Sequence, residues 1–172
     1  MKNKVKHLDV LSCYRDNILG KLIRWFTKGR VNHTALVIEI WGELFIIDSQ
    51  VDGTNLRPLK EWENKYKYTY VIHRHKSHDV PSFARETSKR AISKSGNTPY
   101  DIGSLFWYYP RYIFSGKWKG KKSKRAEERM YCSEFVSWVF NVNYWWKMSP
   151  EALLKYLDLS GDFYRVGKSK TY

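Results

Sequence analysis

The chain has 172 residues, of which 42% are apolar and 17% aromatic, a composition typical of a folded domain with a substantial core. Its 31 lysines and arginines outnumber its 17 aspartates and glutamates, which gives a formal net charge of +14. This composition argues against disorder along the whole chain, and the charge favours encounters with anionic partners such as nucleic acid, anionic lipid or a bacterial wall.

The N-terminal half of the sequence predicts a strand, a helix and a β-hairpin. The stretch HLDVLSCY has the pattern of a short strand, and DNILGKLIRWFTKG follows as a helix that Asp16 or Asn17 can cap and Gly29 can end. In NHTALVIEIWGELFIIDSQ, two β-rich runs flank Trp41 and Gly42, which predicts a hairpin. The next stretch, DGTNLRPLKEW, is rich in turn-forming residues, and KYTYVIHRH predicts a third strand.

The C-terminal half predicts three helices and a basic loop. Pro81 near its start and Gly96 beyond its end bound the first helix. Residues 115–129 are basic and contain glycines, as in a mobile loop. The second helix opens near Cys132, and the third follows Ser149, an N-cap residue that precedes a proline.

The sequence contains no internal repeat and no interdomain linker, so we predict a single domain over residues 1–172. Two cysteines are too few for a disulfide framework. The N-terminal stretch lacks the apolar run of a secretory signal, and no run of about 18 uncharged apolar residues could cross a bilayer. We therefore expect a cytoplasmic protein with reduced thiols.

Cys132 is either a small buried hydrophobe or a nucleophile. The stretch MYCSEFVSWVF has a helical apolar stripe that suits a core. Cys132 lies in the first turn of this helix, where unpaired N–H groups and the helix dipole lower the pKa of a thiol. On residue type alone, a lone cysteine beside an apolar helix is more often structural. We interpret Cys13, at a strand end, as structural.

His33 is the candidate base, at the start of the first hairpin strand. If the hairpin loop has two residues, Ala35 lies opposite Asp48 and His33 lies opposite Gln50. His33, Asp48 and Gln50 then project from one face of the sheet, so a polar group is available to orient the imidazole. A three-residue loop would break this arrangement.

The order of these motifs resembles that of the circularly permuted, papain-like amidases of the NlpC group, in their YiiX-like branch. The most specific motifs are the Asn-His-Thr-Ala strand after a basic helix and Cys-Ser-Glu at the opening of an apolar helix. The resemblance extends over about residues 8–157 and includes GNTPYDIGSLFW and MSPEALLKYL. It implies an α+β, papain-like, circularly permuted fold in which an antiparallel sheet packs against helices and the histidine strand precedes the cysteine helix.

The resemblance also implies roles for particular residues. Cys132 matches the nucleophile and His33 the general base. Asp48 stands where the family commonly has glutamate, so either Asp48 or Gln50 would orient His33. Tyr100, in TPYD, would line the site or steady an oxyanion together with the backbone N–H of the nucleophile.

Glu134 matches the acidic residue two positions after the family's cysteine and could be a helix cap, an ion-pair partner or a catalytic group. The implied function is that of a cysteine amidohydrolase or peptidase without a cofactor. Its substrate would be a peptide or an acyl amide, with bacterial cell-wall peptides first and lipid-linked acyl groups second.

Other site types are less well supported. His73, His75 and His78 alternate in HRHKSHD but lack a second ligand group at zinc spacing, so no metal site is predicted. Aromatic and basic residues occur without a nucleic-acid motif, which leaves only nonspecific contact with anionic polymers. The alternative function is a noncatalytic module whose basic surface holds an anionic polymer or a membrane surface.

Overall fold

The computed structural model of the chain describes residues 5–16, 18–96, 98–101 and 127–169. Within them, six strands form one sheet: β1 (Val10–Tyr14), β2 (His33–Ile40), β3 (Glu43–Gln50), β4 (Gly53–Pro58), β5 (Thr69–His75) and β6 (Phe163–Lys168). The strand order is β4-β3-β2-β1-β5-β6, and each neighbouring pair is antiparallel. The α-helices are α1 (Ile18–Thr27), α2 (Leu59–Tyr66), α3 (Pro81–Lys94), α4 (Cys132–Val139) and α5 (Pro150–Leu159), and Trp145–Lys147 forms a 3₁₀ helix.

The predicted α+β class with an antiparallel sheet is confirmed, but three elements were missed. The stretch interpreted as turns forms β4 and α2, which meet at Pro58. This proline ends the strand and starts the helix because its φ is −54° and it has no N–H to donate. The edge strand β6 was not predicted, since most of its residues are exposed or only partly buried. Of the predicted basic loop, residues 115–126 lie outside the described residues.

The hairpin of β2 and β3 has the predicted two-residue loop. Trp41 and Gly42 have φ of 51° and 81°, the two positive values of a type I′ turn. Leu36 pairs with Ile47, which is the register that a two-residue loop requires. A strand alternates its side chains between the two faces of a sheet, so this register decides which residues of β2 and β3 share a face.

Each face of the sheet carries its own core. Leu36, Ile38 and Ile47 point to the face that α3, α4 and α5 cover. Further buried residues of this core include Val10, Ala91, Phe135, Val136, Val139, Leu153 and Leu157. Ala35 and Ile46 point to the opposite face, which α2 covers; its core also includes Leu11, Cys13, Val37, Leu59, Trp62, Tyr70 and Ile72.

Hydrogen bonds around Met130 fix the start of α4 beside the end of β3. The Ser49 hydroxyl donates to the Met130 carbonyl at 2.6 Å, and both groups are buried. The Met130 N–H donates to the Pro99 carbonyl at 3.2 Å. The Ser133 hydroxyl donates to the Met148 carbonyl at 2.6 Å. Among the described residues, no helix combines the length and the apolar character needed to cross a membrane.

Candidate active site

His33 and Asp48 form a buried pair where β2 begins and β3 ends. The Nε2 atom of His33 lies 2.8 Å from Oδ2 of Asp48, whose side chain is fully buried. The same Oδ2 accepts hydrogen bonds from Trp62 Nε1 at 2.9 Å and Gln50 Nε2 at 2.6 Å. Arg57 Nη1 donates to Oδ1 at 3.0 Å. Four side chains therefore hold one carboxylate.

Asp48 and Gln50, the two candidates for orienting His33, make different contacts with its imidazole ring. Gln50 Nε2 lies 3.1 Å from His33 Nε2 and 2.6 Å from the carboxylate of Asp48. An amide nitrogen only donates, and an imidazole nitrogen that donates to a carboxylate cannot accept. Asp48 therefore holds the imidazole, and Gln50 supports Asp48.

Aromatic side chains pack around this pair. The His33 ring stacks on Tyr68 with ring centroids 5.2 Å apart and planes 13° apart. Tyr68 in turn contacts Trp62, with centroids 5.1 Å apart. Neither aromatic residue, nor Arg57, was singled out from the sequence. The available signal was the spacing of Trp62, Tyr66 and Tyr68, which could be interpreted only once α2 was recognised.

The Cys132 thiol lies at the first residue of α4 and next to the His33 side chain, which is the main influence that lowers its pKa. Thr34, the next residue in β2, acts on this pKa in the same direction. Since Nε2 of His33 is held by Asp48, Nδ1 is the ring nitrogen left for the thiol. The thiol, the imidazole and the carboxylate thus lie next to one another in that order.

The electrostatics of the thiol and the imidazole favour an ion pair. Burial alone would raise the pKa of Cys132, but the charge and hydrogen bond of His33 outweigh burial and lower this pKa below its ordinary value. Burial alone would lower the pKa of His33, but interactions with Tyr68, Cys132 and Asp48 raise it well above its ordinary value. Both shifts favour the thiolate–imidazolium form of the pair.

Burial would also raise the pKa of Asp48. The hydrogen bond and charge of His33 and the hydrogen bonds from Trp62 and Gln50 instead lower it below its ordinary value. Asp48 therefore stays ionised next to the imidazolium and stabilises its charge.

Tyr100 lies beside this group, in the described segment between α3 and α4. With His33, Gln50 and Tyr68 it lines a cleft of about 80 Å³. Burial raises the pKa of Tyr100 well above its ordinary value, and the neighbouring Cys132 raises it further. The phenol therefore keeps its proton at neutral pH and can donate a hydrogen bond.

Glu134 has the position of a helix cap. Its Oε2 accepts a hydrogen bond from the backbone N–H of Tyr131 at 3.3 Å, which closes the first turn of α4. Burial raises the pKa of Glu134 well above its ordinary value. Of the roles left open for this residue, the geometry matches the cap.

Cys13 lies in β1 opposite His33 and differs from Cys132 in its surroundings. Its Sγ donates to the Leu11 carbonyl at 3.3 Å, and its side chain belongs to the core beneath α2. Burial raises the pKa of the Cys13 thiol far above its ordinary value. This thiol is protonated at neutral pH.

The three histidines of HRHKSHD have separate contacts. His73 Nε2 lies 2.9 Å from Asp158 Oδ1, and His75 stacks on Phe83 with centroids 4.3 Å apart. His78 Nε2 lies 3.0 Å from Asp79 Oδ2. Over the part of the chain that the structure describes, no three His, Cys, Asp or Glu side chains form a group that could hold a metal ion.

Comparison with known proteins finds a similarity in fold. No protein-family model and no curated protein sequence matches this chain. The fold is similar to the crystal structure of metalloprotein YiiX from Escherichia coli O157:H7, described as DUF1105, with 21% sequence identity and a TM-score of 0.59. The similarity covers 81% of this chain but only 66% of the YiiX chain. The protein thus has a YiiX-like fold.

Proposed function

We propose that this protein is a cysteine amidohydrolase, with the circularly permuted papain-like fold of the NlpC group. One observation carries the proposal: the Cys132 thiol, at a helix N-terminus, lies next to His33, which lowers its pKa, and the buried carboxylate of Asp48 holds the Nε2 side of the imidazole. Nucleophile, base and orienting group are the three parts of a covalent hydrolase site. The order of the histidine strand before the cysteine helix supports the permuted form of the fold.

In the proposed mechanism, the Cys132 thiolate attacks the carbonyl carbon of the amide. The resulting oxyanion accepts hydrogen bonds from the backbone N–H of Cys132 and from the phenol of Tyr100. The His33 imidazolium gives its proton to the leaving amine as the C–N bond breaks, which leaves a thioester. His33 then takes a proton from water, which attacks the thioester and releases the acid and the thiolate. Asp48 keeps the imidazole oriented throughout.

The substrate class follows from the resemblance to the NlpC group. Cell-wall peptides are the first choice and acyl amides the second. The cleft beside His33 has a volume of about 80 Å³, which is room for only a short part of a peptide or acyl chain.

YiiX is described as a metalloprotein, which raises the question of a metal at this site. The donor set here does not fit one. Nε2 of His33 is engaged by Asp48, and no group of three potential ligands is present among the described residues. The mechanism therefore has no step through a metal.

The alternative function is a noncatalytic basic module that holds an anionic polymer or a membrane surface. Binding an anionic polymer or a membrane surface would not require a buried thiol beside an imidazole and a carboxylate. The basic loop on which this alternative depends lies mostly outside the described residues. No contact of the described residues favours it over hydrolysis.

Trapping of the acyl-enzyme tests the proposal. The wild-type protein is mixed with p-nitrophenyl acetate, a soluble cell-wall tetrapeptide and a set of N-acyl amino-acid amides. Intact-mass spectrometry measures the adduct, and chromatography measures the released amine. We expect both in the wild type and in Cys13→Ala, and neither in Cys132→Ala or His33→Ala. A wild type without adduct and without amine release on all of these probes would favour the noncatalytic module.

A further inference from the structure

A second pocket lies on the sheet face that packs against α5, and none of the proposed catalytic residues lines it. Its volume is about 200 Å³, and its lining includes Ser12, Val71, Leu154 and Lys168. Ser12 and Val71 are partners across β1 and β5, and Val71 and Lys168 are partners across β5 and β6. Because directly opposed residues share a sheet face, these three side chains stand in a row across the strands.

The rim of this pocket carries excess positive charge. Besides Lys168, it includes Arg30 and Arg165. Arg30 Nε lies 3.5 Å from Glu151 Oε1, and Arg165 Nη2 lies 2.8 Å from both oxygens of Asp158. A guanidinium has five N–H donors, so these contacts orient both arginines while leaving donors for a ligand. Among the described residues, no carboxylate forms an ion pair with Lys168.

The floor of the pocket is closed. Ser12 is 1% exposed, and its hydroxyl is buried and makes no hydrogen bond within the described part of the chain. A ligand in the pocket therefore contacts the cationic rim and not the Ser12 hydroxyl.

We propose that this pocket binds a small ligand that has an anionic group, phosphate or carboxylate, on a compact apolar body. The anion lies over Val71 beside the Lys168 ammonium, and the two arginines surround it from the rim. Adjacent strands are about 4.8 Å apart, so the Lys168 side chain can reach an anion above Val71. The apolar body contacts Val71 and Leu154. This site is separate from the proposed hydrolase site and does not depend on it.

Calorimetric titration with phenyl phosphate and with benzoate tests the site and distinguishes the two anions. We expect saturable binding of at least one of them, and none of benzyl alcohol, which has a similar body without charge. Lys168→Gln should weaken binding about tenfold, because a charge-assisted hydrogen bond is lost. Lys60→Gln, an exposed lysine on α2 at the other face, is the matched control and should bind like the wild type.

Thermal melting verifies that each variant folds, and Cys132→Ala separates this site from the hydrolase site. Binding that persists in Cys132→Ala and falls in Lys168→Gln supports the proposal whatever the outcome of the acyl-enzyme experiment. Absence of saturable binding for both anions would overturn it. Binding that is equal in the wild type and Lys168→Gln would also overturn it, because the anion would then bind elsewhere.

Discussion

Cys132 and Cys13 are both buried, at 3% and 0% exposure, but their surroundings shift the pKa values of the two thiols in opposite directions. His33 lowers the pKa of Cys132, whereas burial raises that of Cys13. Because the thiolate is the reactive form, iodoacetamide should label Cys132 much faster than Cys13 at pH 7. Peptide mapping by mass spectrometry measures the two rates. Equal rates would mean that Cys132 is only a small hydrophobe.

His33→Ala tests the source of this reactivity. Without the imidazolium, burial is the largest remaining influence and raises the pKa of Cys132. The midpoint of the labelling rate against pH should therefore move up, towards or beyond the value of about 8.5 for a free thiol. His78→Ala, which removes a histidine outside the site, should leave the midpoint unchanged. A midpoint that is the same in all three proteins would exclude a thiolate–imidazolium pair.

Asp48 is expected to contribute to stability as well as to the site. Its pKa is lowered in the folded protein, so its ionised form stabilises the fold at neutral pH. That contribution is present above the ordinary carboxyl pKa and is lost as the pH falls through the lowered one. Asp48→Asn should therefore cost about 3 kcal/mol at pH 7, because buried donors lose a charged acceptor, and less near pH 3.

Urea unfolding at the two pH values measures this cost, and Asp52→Asn is its control. Asp52 Oδ2 lies 2.8 Å from Nη2 of the same Arg57, but its side chain is 60% exposed. Loss of such a surface pair should cost only a few tenths of a kcal/mol. If both variants lose the same free energy of unfolding, burial of Asp48 is not what makes its contacts strong.

At the scale of elements, glycines occupy the turns before and after β3, and only the second of these turns lies beside the site. Gly42 and Gly53 have φ of 81° and 103°, but only Gly53 is crowded: a Cβ there would lie 3.3 Å from the Thr98 carbonyl. Gly42→Ala should cost about 1 kcal/mol from backbone conformation alone. Gly53→Ala should cost more, and should slow amide hydrolysis, because the segment with Thr98 also carries Tyr100.

Unfolding curves and turnover of both glycine variants are compared with those of the wild type. Turnover should fall only in Gly53→Ala, since the Gly42 turn lies at the far end of the hairpin. Equal stability losses with unchanged turnover would show that the segment of residues 98–101 moves aside without cost and that Tyr100 does not act in the site.

The hairpin was predictable from the sequence because its determinants are local. A glycine at a two-residue turn and alternating side chains set the register, and the register puts His33 and Asp48 on one face. The hydrogen bond from Trp62 to Asp48 was not predictable in this way. Trp62 lies in α2, and the sequence at the start of α2 is rich in turn-forming residues. The approach of Cys132 to His33 depends on packing between distant parts of the chain, and only the resemblance to a known family suggested it.

In the whole molecule, the site joins the two layers that cover the sheet. Asp48 and Trp62 belong to the side of α2, whereas Cys132 is at the start of α4, which packs on the other face. The two sides meet at His33 because β2 begins there, and the thiol reaches the imidazole at that end of the strand. The site is therefore complete only when both layers are docked.

The net charge of +14 gives a prediction for the whole molecule. If the basic stretch of residues 115–129 attracts anionic polymers, affinity for a polyanion such as heparin should fall steeply with added salt, because counterions compete for the lysines. Lys119→Gln, Lys121→Gln and Lys122→Gln, combined in one variant, should reduce this affinity and its salt dependence. Turnover of a small neutral amide should stay at the wild-type rate, since charge steers only charged substrates.

A variant with the same change at Lys60, Lys89 and Lys155 is the matched control, because all three lysines are exposed and lie elsewhere on the fold. It has the same net charge as the variant of the basic stretch. Equal heparin affinities of the two variants would assign the attraction to overall charge rather than to residues 115–129. Loss of small-amide turnover in the first variant alone would instead make that stretch part of the catalytic site, since removing long-range attraction cannot slow the reaction of a neutral substrate.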